Sequence, residues 1–236
     1  MVSIGIDPSI NSTGVCVISF DEETKKISTS YYIITGHATK NTKDFAELNR
    51  VTILEYGKQS SEKNSDYTTK EIIKYNNFRA ICDRVSDILR RHNPDYVTME
   101  GISYGSVGSS ALVDLAGLNF MLRDVISKLC RCNMTIISPT ENKRFAVGCG
   151  SINKDAIIAA WTRCDNIKTV KNAKIDDIAD AYFMALYNSV TEEDFKAVFE
   201  KHDIDISAYK KKRKVKSNGD EDVMRVFEDI PTDKSV

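Results

Sequence analysis

The sequence predicts an α/β protein built on a mixed five-stranded sheet, with three antiparallel strands, then two parallel strands, and helices on both faces. Over the first 35 residues, apolar and polar residues alternate with the period of a strand, and tight turns separate the alternating runs. From residue 70 onward, helical patterns alternate with short apolar runs, an order that favours parallel strands connected through helices. The chain has 236 residues, of which 42% are hydrophobic, so it can bury a sizeable core.

The three antiparallel strands are predicted at residues 2–7, 15–20 and 27–34. In the first run the apolar side chains share one face, and the last run is rich in β-branched and aromatic residues. Turn-forming residues at 11–14 and 21–23 separate the runs, so we expect a meander of neighbouring strands.

The rest of the chain is predicted to be mostly helical. Residues 36–68 are polar and weakly periodic, and we expect an irregular excursion there with some helical character between Phe45 and Tyr56. The two parallel strands are predicted at residues 95–100 and 134–138. Helical periodicity predicts helices at residues 70–92, 110–130, 140–147, 153–165, 176–190 and 192–202.

The composition changes at residue 209, so we expect a folded domain at 1–208 and a mostly disordered tail at 209–236. The basic run at 210–214 matches a nuclear-import signal and is also typical of an arm that binds phosphates. Apolar residues among the acids that follow suggest a docking peptide for a protein partner.

The formal net charge is −1, from 33 Lys and Arg against 34 Asp and Glu, which argues against a histone-like polycation. The charge is unevenly distributed, because residues 123–174 carry 10 basic and 4 acidic residues. A phosphate backbone would rest on such a block. The sequence has no run of about 18 apolar residues that could span a membrane. Its first residues do not show the basic region followed by an apolar stretch that is typical of a secretory signal. We therefore expect no membrane span and a cytoplasmic location, or a nuclear one in a eukaryotic host.

Candidate catalytic residues are carboxylates at strand ends and on a late helix. Asp7 ends the first strand and Glu100 ends the fourth. If these strands are parallel neighbours about 4.8 Å apart, the two side chains project side by side at the carboxyl edge of the sheet. On the helix, Asp177 and Asp180 share a face, and so do Asp176 and Asp180, so spacing does not choose between these pairs.

Each carboxylate has an ordinary explanation, as a turn residue, a solvated strand end or a helix cap. Their conjunction is more informative, because several carboxylates brought together repel one another unless a cation offsets them. Oxygen-only ligands suit Mg²⁺ or Mn²⁺. Two such ions about 4 Å apart can activate a water and stabilise the leaving oxygen of a phosphodiester.

Four stretches carry a resemblance to a known family: Ile4-Gly5-Ile6-Asp7-Pro8-Ser9 through Thr13-Gly14, Met99-Glu100, Phe145 to Gly150 with Lys154, and Asp177-Ile178-Ala179-Asp180-Ala181. Together they resemble the RuvC-like Holliday-junction resolvases of the RNase H-like superfamily, and the chain looks closest to their phage-encoded members. The likeness covers residues 1–190, and its first and last stretches are the most specific.

The resemblance implies an RNase H-like fold for the 1–208 domain and a homodimer that acts on four-way DNA junctions in recombination and repair. A flank of the helix at 110–130 would then be a dimer contact. The resemblance also implies two Mg²⁺ (or Mn²⁺) ions per active site and hydrolysis that leaves a 5′-phosphate and a 3′-hydroxyl. The implied catalytic residues, which are also the metal ligands, are Asp7, Glu100, Asp177 and Asp180, so the resemblance favours Asp177 over Asp176.

The Gly-x-Gly-x-x-x-Lys stretch looks like the segment with which the family contacts the DNA backbone. On that basis Gly148, Gly150 and Lys154 are candidate DNA-binding residues, and Lys143 and Arg144 lie just before them in the basic block. Lys154 at a helix start would contact a phosphate. The alternative is a solvated lysine at a helix N-terminus.

The chain departs from the family pattern after the glutamate of the fourth strand. The family often has an aromatic residue three positions later that stacks on a base at the crossover. Here that position is Ser103, and Tyr104 follows it. We therefore consider both residues candidates for DNA contact, with stacking by Tyr104 and a plain rim residue as the alternatives.

Other functions stay open from the sequence. The first alternative is a nuclease of the same fold that also cleaves flaps, forks and three-way branches. The opening Gly-Ile-Asp-Pro-Ser-Ile-Asn-Ser-Thr-Gly also resembles the phosphate-binding hairpin of sugar-kinase and actin-like ATPases, but we find no second phosphate loop and no Gly-rich adenosine motif. A relative that binds junctions without cleaving them is disfavoured, because such a protein would gain nothing from acidic side chains that repel one another at a single site.

Overall fold

The structure is a computed structural model, and it describes residues 1–21, 26–102 and 110–188. Along these ranges the elements are β1 (Val2–Asp7), β2 (Ser12–Asp21), β3 (Lys26–Thr35), α1 (Lys40–Asn49), β4 (Thr52–Glu55), α2 (Tyr67–His92), β5 (Tyr96–Glu100), α3 (Ser110–Leu129), β6 (Asn133–Ile137), α4 (Pro139–Val147), α5 (Lys154–Cys164) and α6 (Asp176–Tyr187). The helix predicted at 192–202, the domain boundary at 208 and the tail at 209–236 lie outside the described residues and stay predictions.

The strands form one mixed sheet in the order β4-β3-β2-β1-β5-β6. Strands β1, β2 and β3 are antiparallel neighbours, whereas β5 pairs in parallel with β1, and β6 pairs in parallel with β5. This arrangement confirms the predicted mixed α/β fold with a meander followed by two parallel strands.

The strand count differs from the prediction, since the sheet has six strands rather than five. The sixth, β4, lies within the segment predicted as irregular and pairs in parallel with the outer edge of β3. It has four residues, too few for alternation to be recognised. The helical character expected between Phe45 and Tyr56 is confirmed only as far as Asn49, because the strand β4 occupies Thr52–Glu55. Helix α1 begins after the N-cap Thr39 and ends at Arg50, which is in the left-handed conformation.

Helices cover both faces of the sheet, as predicted. Helices α2 and α3 pack on one face around side chains such as Ile4, Ile6 and Met99. Helices α1, α4, α5 and α6 pack on the other face, around Trp161 and Phe183. Each face of the central strands therefore has its own apolar core.

Two further properties concern the described residues as a whole. All six cysteines lie within them and are free thiols. No described helix combines the length and the apolar character that crossing a membrane requires.

Candidate active site

The sheet places Asp7 and Glu100 side by side. Strands β1 and β5 pair in parallel with Ile6 opposite Met99, so the next residue of each strand is one of the two acids. This confirms that the two strands are parallel neighbours. Asp7 is only 7% exposed, so its carboxyl group lies beside that of Glu100 in a largely buried environment.

Helix α6 lies directly on β1 and β2 at two glycines. A Cβ atom at Gly5 would overlap the carbonyl oxygen of Ala181, and one at Gly14 would overlap the carbonyl oxygen of Asp177. Main-chain atoms of the helix therefore contact main-chain atoms of the sheet, and no side chain fits between them. This close contact brings the two candidate acids of α6 down to the level of Asp7.

The four acids act on one another electrostatically. Burial raises the pKa of Asp7 well above its usual range, and the charges of Glu100, Asp177 and Asp180 raise it further. Burial and the charge of Asp176 raise the pKa of Asp177 to about 7. Burial and the charge of Glu100 raise the pKa of Asp180 to about 7. Burial and mutual repulsion thus oppose full negative charge on this group of carboxyls, and a bound cation would offset both effects.

Asp176 and Asp177 differ in their surroundings, although spacing did not distinguish them. The side chain of Asp176 forms an ion pair with Lys154, at the start of α5. Asp177 instead hydrogen-bonds with Ser12 at the start of β2, and its charge acts on Asp7. The structure thus groups Asp177 with the strand-end acids.

Two of the basic candidates lie close enough to influence the acids. Burial lowers the pKa of Lys154, but its hydrogen bond to Asp176 and the charges of nearby acids outweigh that effect and raise the pKa overall. The positive charge of Lys143 on α4 lowers the pKa of Asp180. The acidic edge therefore has a cationic border on the α4 and α5 side.

Three of the remaining DNA-binding candidates lie near the end of α4, and the other two lie outside the described residues. Gly148 ends α4 with a left-handed φ of 72°, a conformation that favours glycine, and a Cβ atom at Gly150 would overlap Thr140, so local structure explains both glycines. Arg144 is exposed on the last turn of α4. Ser103 and Tyr104 lie outside the described residues.

Sequence reasoning missed two buried asparagines that hold the acids. Asn142 is 1% exposed, and its Nδ2 donates hydrogen bonds to Oδ1 (3.0 Å) and to the main-chain oxygen (3.3 Å) of Asp180. Asn119 is 2% exposed, and its Nδ2 donates to the main-chain oxygen of Glu100 at 2.8 Å. The sequence did contain a signal for Asn119, because this amide interrupts the otherwise apolar stripe of α3. A buried polar group there is costly unless it has a hydrogen-bond partner.

The donor set fits divalent cations such as Mg²⁺ or Mn²⁺, because carboxylate oxygens from three elements meet at one edge. In the conformations described, no three His, Cys, Asp or Glu side chains of residues 1–21, 26–102 and 110–188 converge closely enough to bind one ion.

The strand order, with helices on both faces of the mixed sheet, defines an RNase H-like α/β fold of the RuvC type. No protein-family model matches the chain. In sequence, it is 26% identical over 177 residues to the crossover junction endodeoxyribonuclease RuvC of Dictyoglomus thermophilum, a match that covers 72% of this chain and 93% of that protein.

Two solved structures of RuvC from Thermus thermophilus are also similar. The one in complex with a Holliday junction substrate has a TM-score of 0.54 and 16% identity, over 85% of this chain and 96% of that one. The other has a TM-score of 0.49 and 17% identity, over 85% and 97% of the two chains. With the sequence match, the first structure confirms the predicted resemblance to the RuvC-like resolvases.

Proposed function

We propose that the chain is a metal-dependent, structure-selective DNA endonuclease that resolves four-way (Holliday) junctions. One observation carries the proposal: Asp7, Glu100, Asp177 and Asp180 come from three elements and act on one another at one edge of the sheet, where Asp7 and Asp180 are buried. The similarity in sequence to a crossover junction endodeoxyribonuclease supports the choice of substrate.

The four acids would hold two Mg²⁺ (or Mn²⁺) ions per active site. Bound there, the ions supply activation of a water and stabilisation of the leaving oxygen, so that hydrolysis leaves a 5′-phosphate and a 3′-hydroxyl. The chain itself orients the ligands: Ser12 hydrogen-bonds with Asp177, and Asn142 donates to Asp180.

The DNA backbone would rest on the cationic border. Lys154 and Lys143 are placed to contact phosphates, with Arg144 and the backbone around Gly148 and Gly150 beside them. The positions of the two lysines are consistent with this role, because their positive charges already act on acids that would bind the metal ions. Ser103 and Tyr104, which follow Glu100 and Gly101 closely in sequence, are proposed to contact bases at the crossover.

Resolution needs two opposed nicks, so we propose a homodimer that contacts through the outer flank of α3. Val113 is 72% exposed and Phe120 is 57% exposed, one turn to either side of the exposed Gly117. Large exposed apolar side chains in one row are typical of a protein contact.

The decisive experiment compares the chain with its Asp7→Asn variant on labelled four-way, three-way, flap and duplex DNA with Mg²⁺. We expect paired nicks on the four-way junction and at least a 100-fold loss of cleavage in the variant, because second-layer residues of metal sites already cost about 10–100-fold. Junction binding should persist. Asp155→Asn, an exposed acid beside Lys154, is the matched control and should cleave normally.

Three outcomes would change the proposal. Mg²⁺-dependent cutting by Asp7→Asn would disprove the four-carboxylate site. Equal cutting of all branched substrates would replace the strict resolvase by a broader nuclease. Hydrolysis of ATP without cleavage of any DNA would favour the ATPase alternative.

A further inference from the structure

The chain between β3 and α2 reaches the acidic edge of the sheet. Strands β1, β3 and β4 run in the same direction, because β1 and β3 are both antiparallel to β2, and β4 is parallel to β3. They therefore end at one edge, β1 with Asp7 and β4 with Glu55. The residues that follow β4 thus lie at the edge that carries the candidate acids.

Lys58 is held against the turn between β1 and β2. Its Nζ donates a hydrogen bond to Oδ1 of Asn11 at 2.9 Å. A Cβ atom at Gly36 would lie 2.4 Å from the Cβ of Lys58, so the glycine leaves room for the lysine stem. Asn11 precedes Ser12, whose side chain hydrogen-bonds with Asp177. The ammonium group therefore contacts the turn one residue away from a hydrogen-bond partner of a candidate metal ligand.

Two other side chains already hold this turn. The Oγ1 of Thr35 donates to the main-chain oxygen of Asn11 at 2.9 Å, and the hydroxyl of Tyr56 donates to the main-chain oxygen of Ile10 at 3.2 Å. Both donors are uncharged. The turn by itself therefore does not require a cation at position 58.

The charge of Lys58 has no counterpart in the part of the chain that the structure describes, since no carboxylate there forms an ion pair with it. Glu55, the acid nearest in sequence, accepts a hydrogen bond from the main-chain N–H of Ala38 at 3.1 Å and pairs with Lys43 at 3.3 Å. Residues 103–109, which follow Glu100 closely, contain no Asp or Glu. An ammonium group has three donors, and the bond to Asn11 uses one, so the others are left for an anion.

Lys58 and Lys154 approach the acids from different faces of the sheet. Gln59 exchanges two hydrogen bonds of 2.9 Å with Asn77 of α2, so the stretch that holds Lys58 lies on the α2 side. Lys154 begins α5, which packs on the other face. A DNA strand with its scissile phosphate at the acids would therefore meet a cation from either face.

We propose that Lys58 binds a backbone phosphate that flanks the scissile one, on the α2 side of the sheet. The inference rests on the proposed function and deepens it, since it adds a DNA contact from the segment between β3 and α2. A phosphate accepts hydrogen bonds and carries the negative charge that the ammonium group lacks, whereas a nucleobase would leave that charge uncompensated. Asn11 is then a positioning residue that orients the ammonium group.

The test measures the affinity for a four-way junction in the Asp7→Asn background, so that binding is read without cleavage. Affinity is measured over a range of salt concentrations with Lys58 in place and in Lys58→Gln and Lys58→Arg. Lys43→Gln is the matched control, because it removes the same charge from the same segment but from a lysine that is already paired with Glu55. The phosphates on either side of the cut are then replaced, one at a time, by uncharged methylphosphonates.

We expect Lys58→Gln to bind the junction about 3- to 10-fold more weakly, because it loses a hydrogen bond between charged groups at a solvated site. The slope of log affinity against log salt should become shallower by about 1, as for the loss of one lysine–phosphate contact. Lys58→Arg should restore both values, and Lys43→Gln should change neither. One methylphosphonate should weaken binding when Lys58 is present and have no further effect in Lys58→Gln.

A measurement without substitution at Lys58 covers the case in which Lys58→Gln does not fold. Bound junction should protect Lys58 from acetylation, read by mass spectrometry, and equal acetylation with and without junction would contradict the inference.

The outcomes separate the two proposals. If the wild type binds and cuts the junction, but Lys58→Gln keeps the salt slope and no methylphosphonate effect depends on Lys58, the lysine only supports the turn. The inference is then wrong while the proposed function stands. If the wild type neither binds nor cuts four-way junctions, the proposed function fails and the inference fails with it.

Discussion

Asn142 holds the carboxylate of Asp180 through one amide nitrogen, which donates to Oδ1 and to the main-chain oxygen. Asn142 does not contact the other carboxylate oxygen in this way, and under the proposed function that oxygen would ligate a metal ion. We expect Asn142→Leu to raise the Mg²⁺ concentration for half-maximal cleavage about 10- to 100-fold, as is usual when a group that orients a metal ligand is lost. Titration calorimetry with Mg²⁺ should show the same weakening without any DNA.

A matched control for Asn142 lies far along the chain from the acids. Asn77 is also a buried amide, and it exchanges two hydrogen bonds of 2.9 Å with the backbone of Gln59. Asn77→Leu should lower stability and leave the Mg²⁺ requirement unchanged. Equal Mg²⁺ requirements in the two variants would show that Asn142 has a structural role only.

The raised pKa values of Asp177 and Asp180 predict how stability depends on pH without metal. Both pKa values are about 7 in the folded chain against an ordinary value of 3.8, so the folded state binds protons more tightly. The resulting stabilisation is fully present below pH 3.8 and is lost as the pH rises through 7. In EDTA, the free energy of unfolding measured by denaturant should therefore be lower at pH 8 than at pH 5.5.

Asp177→Asn provides the check on this pH dependence. The variant has no ionisable group at that position, so the drop in its free energy of unfolding between pH 5.5 and pH 8 should be smaller. Saturating Mg²⁺ at pH 8 should raise the stability of the wild type more than that of the variant. Identical pH slopes in the two proteins would contradict the assignment.

At the scale of elements, the contact between α6 and the sheet sets the geometry of the site. Gly5→Ala would force a Cβ atom into the main chain of α6, and we expect a loss of about 3 kcal/mol or more in the free energy of unfolding, at the high end for overpacking. Cleavage should fall as well, because two of the four acids are on the displaced helix. Denaturant titration and a cleavage assay measure the two effects.

Gly117 is the control for that substitution. It lies within α3, and a Cβ atom there would meet only Phe78 at 3.6 Å, an ordinary contact. Gly117→Ala should stabilise the chain by about 0.5–1 kcal/mol, because alanine is the better helix former. A similar loss of stability in both variants would mean that the glycine contacts of α6 have no special role.

The elements with strong periodicity were predictable from sequence, whereas the short ones were not. The amphipathic helix at 70–92 and the strand ending at Glu100 appear close to their predicted positions. Helix α1 and strand β4 did not stand out, because α1 buries only three residues and β4 is an edge strand with no fully buried residue. Strand β4 is positioned by its pairing with β3, and α1 contacts β4, and no local sequence pattern records either contact.

The site was predictable to the extent that its residues end regular elements. Asp7 and Glu100 could be paired because parallel neighbours end at the same edge. The proximity of α6 to that edge could not be derived from spacing, since it depends on the missing side chains of Gly5 and Gly14. Asn119 and Asn142 were missed because their partners are 19 and 38 residues away.

For the whole molecule, the proposed dimer gives a test on the outer flank of α3. Phe120→Glu places a charge in the proposed contact, and we expect the protein to elute as a monomer in size-exclusion chromatography with light scattering. A monomer should nick one strand of a four-way junction at a time, so paired nicks within one binding event should be lost.

The control for the dimer test is on the neighbouring helix. Ile72 of α2 is 54% exposed, close to the 57% of Phe120, but it is not on the proposed flank. Ile72→Glu should leave both the oligomeric state and paired nicking unchanged. A monomeric wild type that still makes paired nicks would contradict the dimer proposal.

The backbone contact at Gly5 and Gly14 also bears on how freely such a chain can change its sequence. The distance between the strand-end acids and the helix acids is set by main-chain atoms in contact, not by the sizes of core side chains. Substitutions in the two apolar cores can therefore accumulate, provided that volume is kept, without shifting the acids relative to one another. Two small residues thus let the arrangement of the proposed catalytic acids persist through changes in the surrounding core.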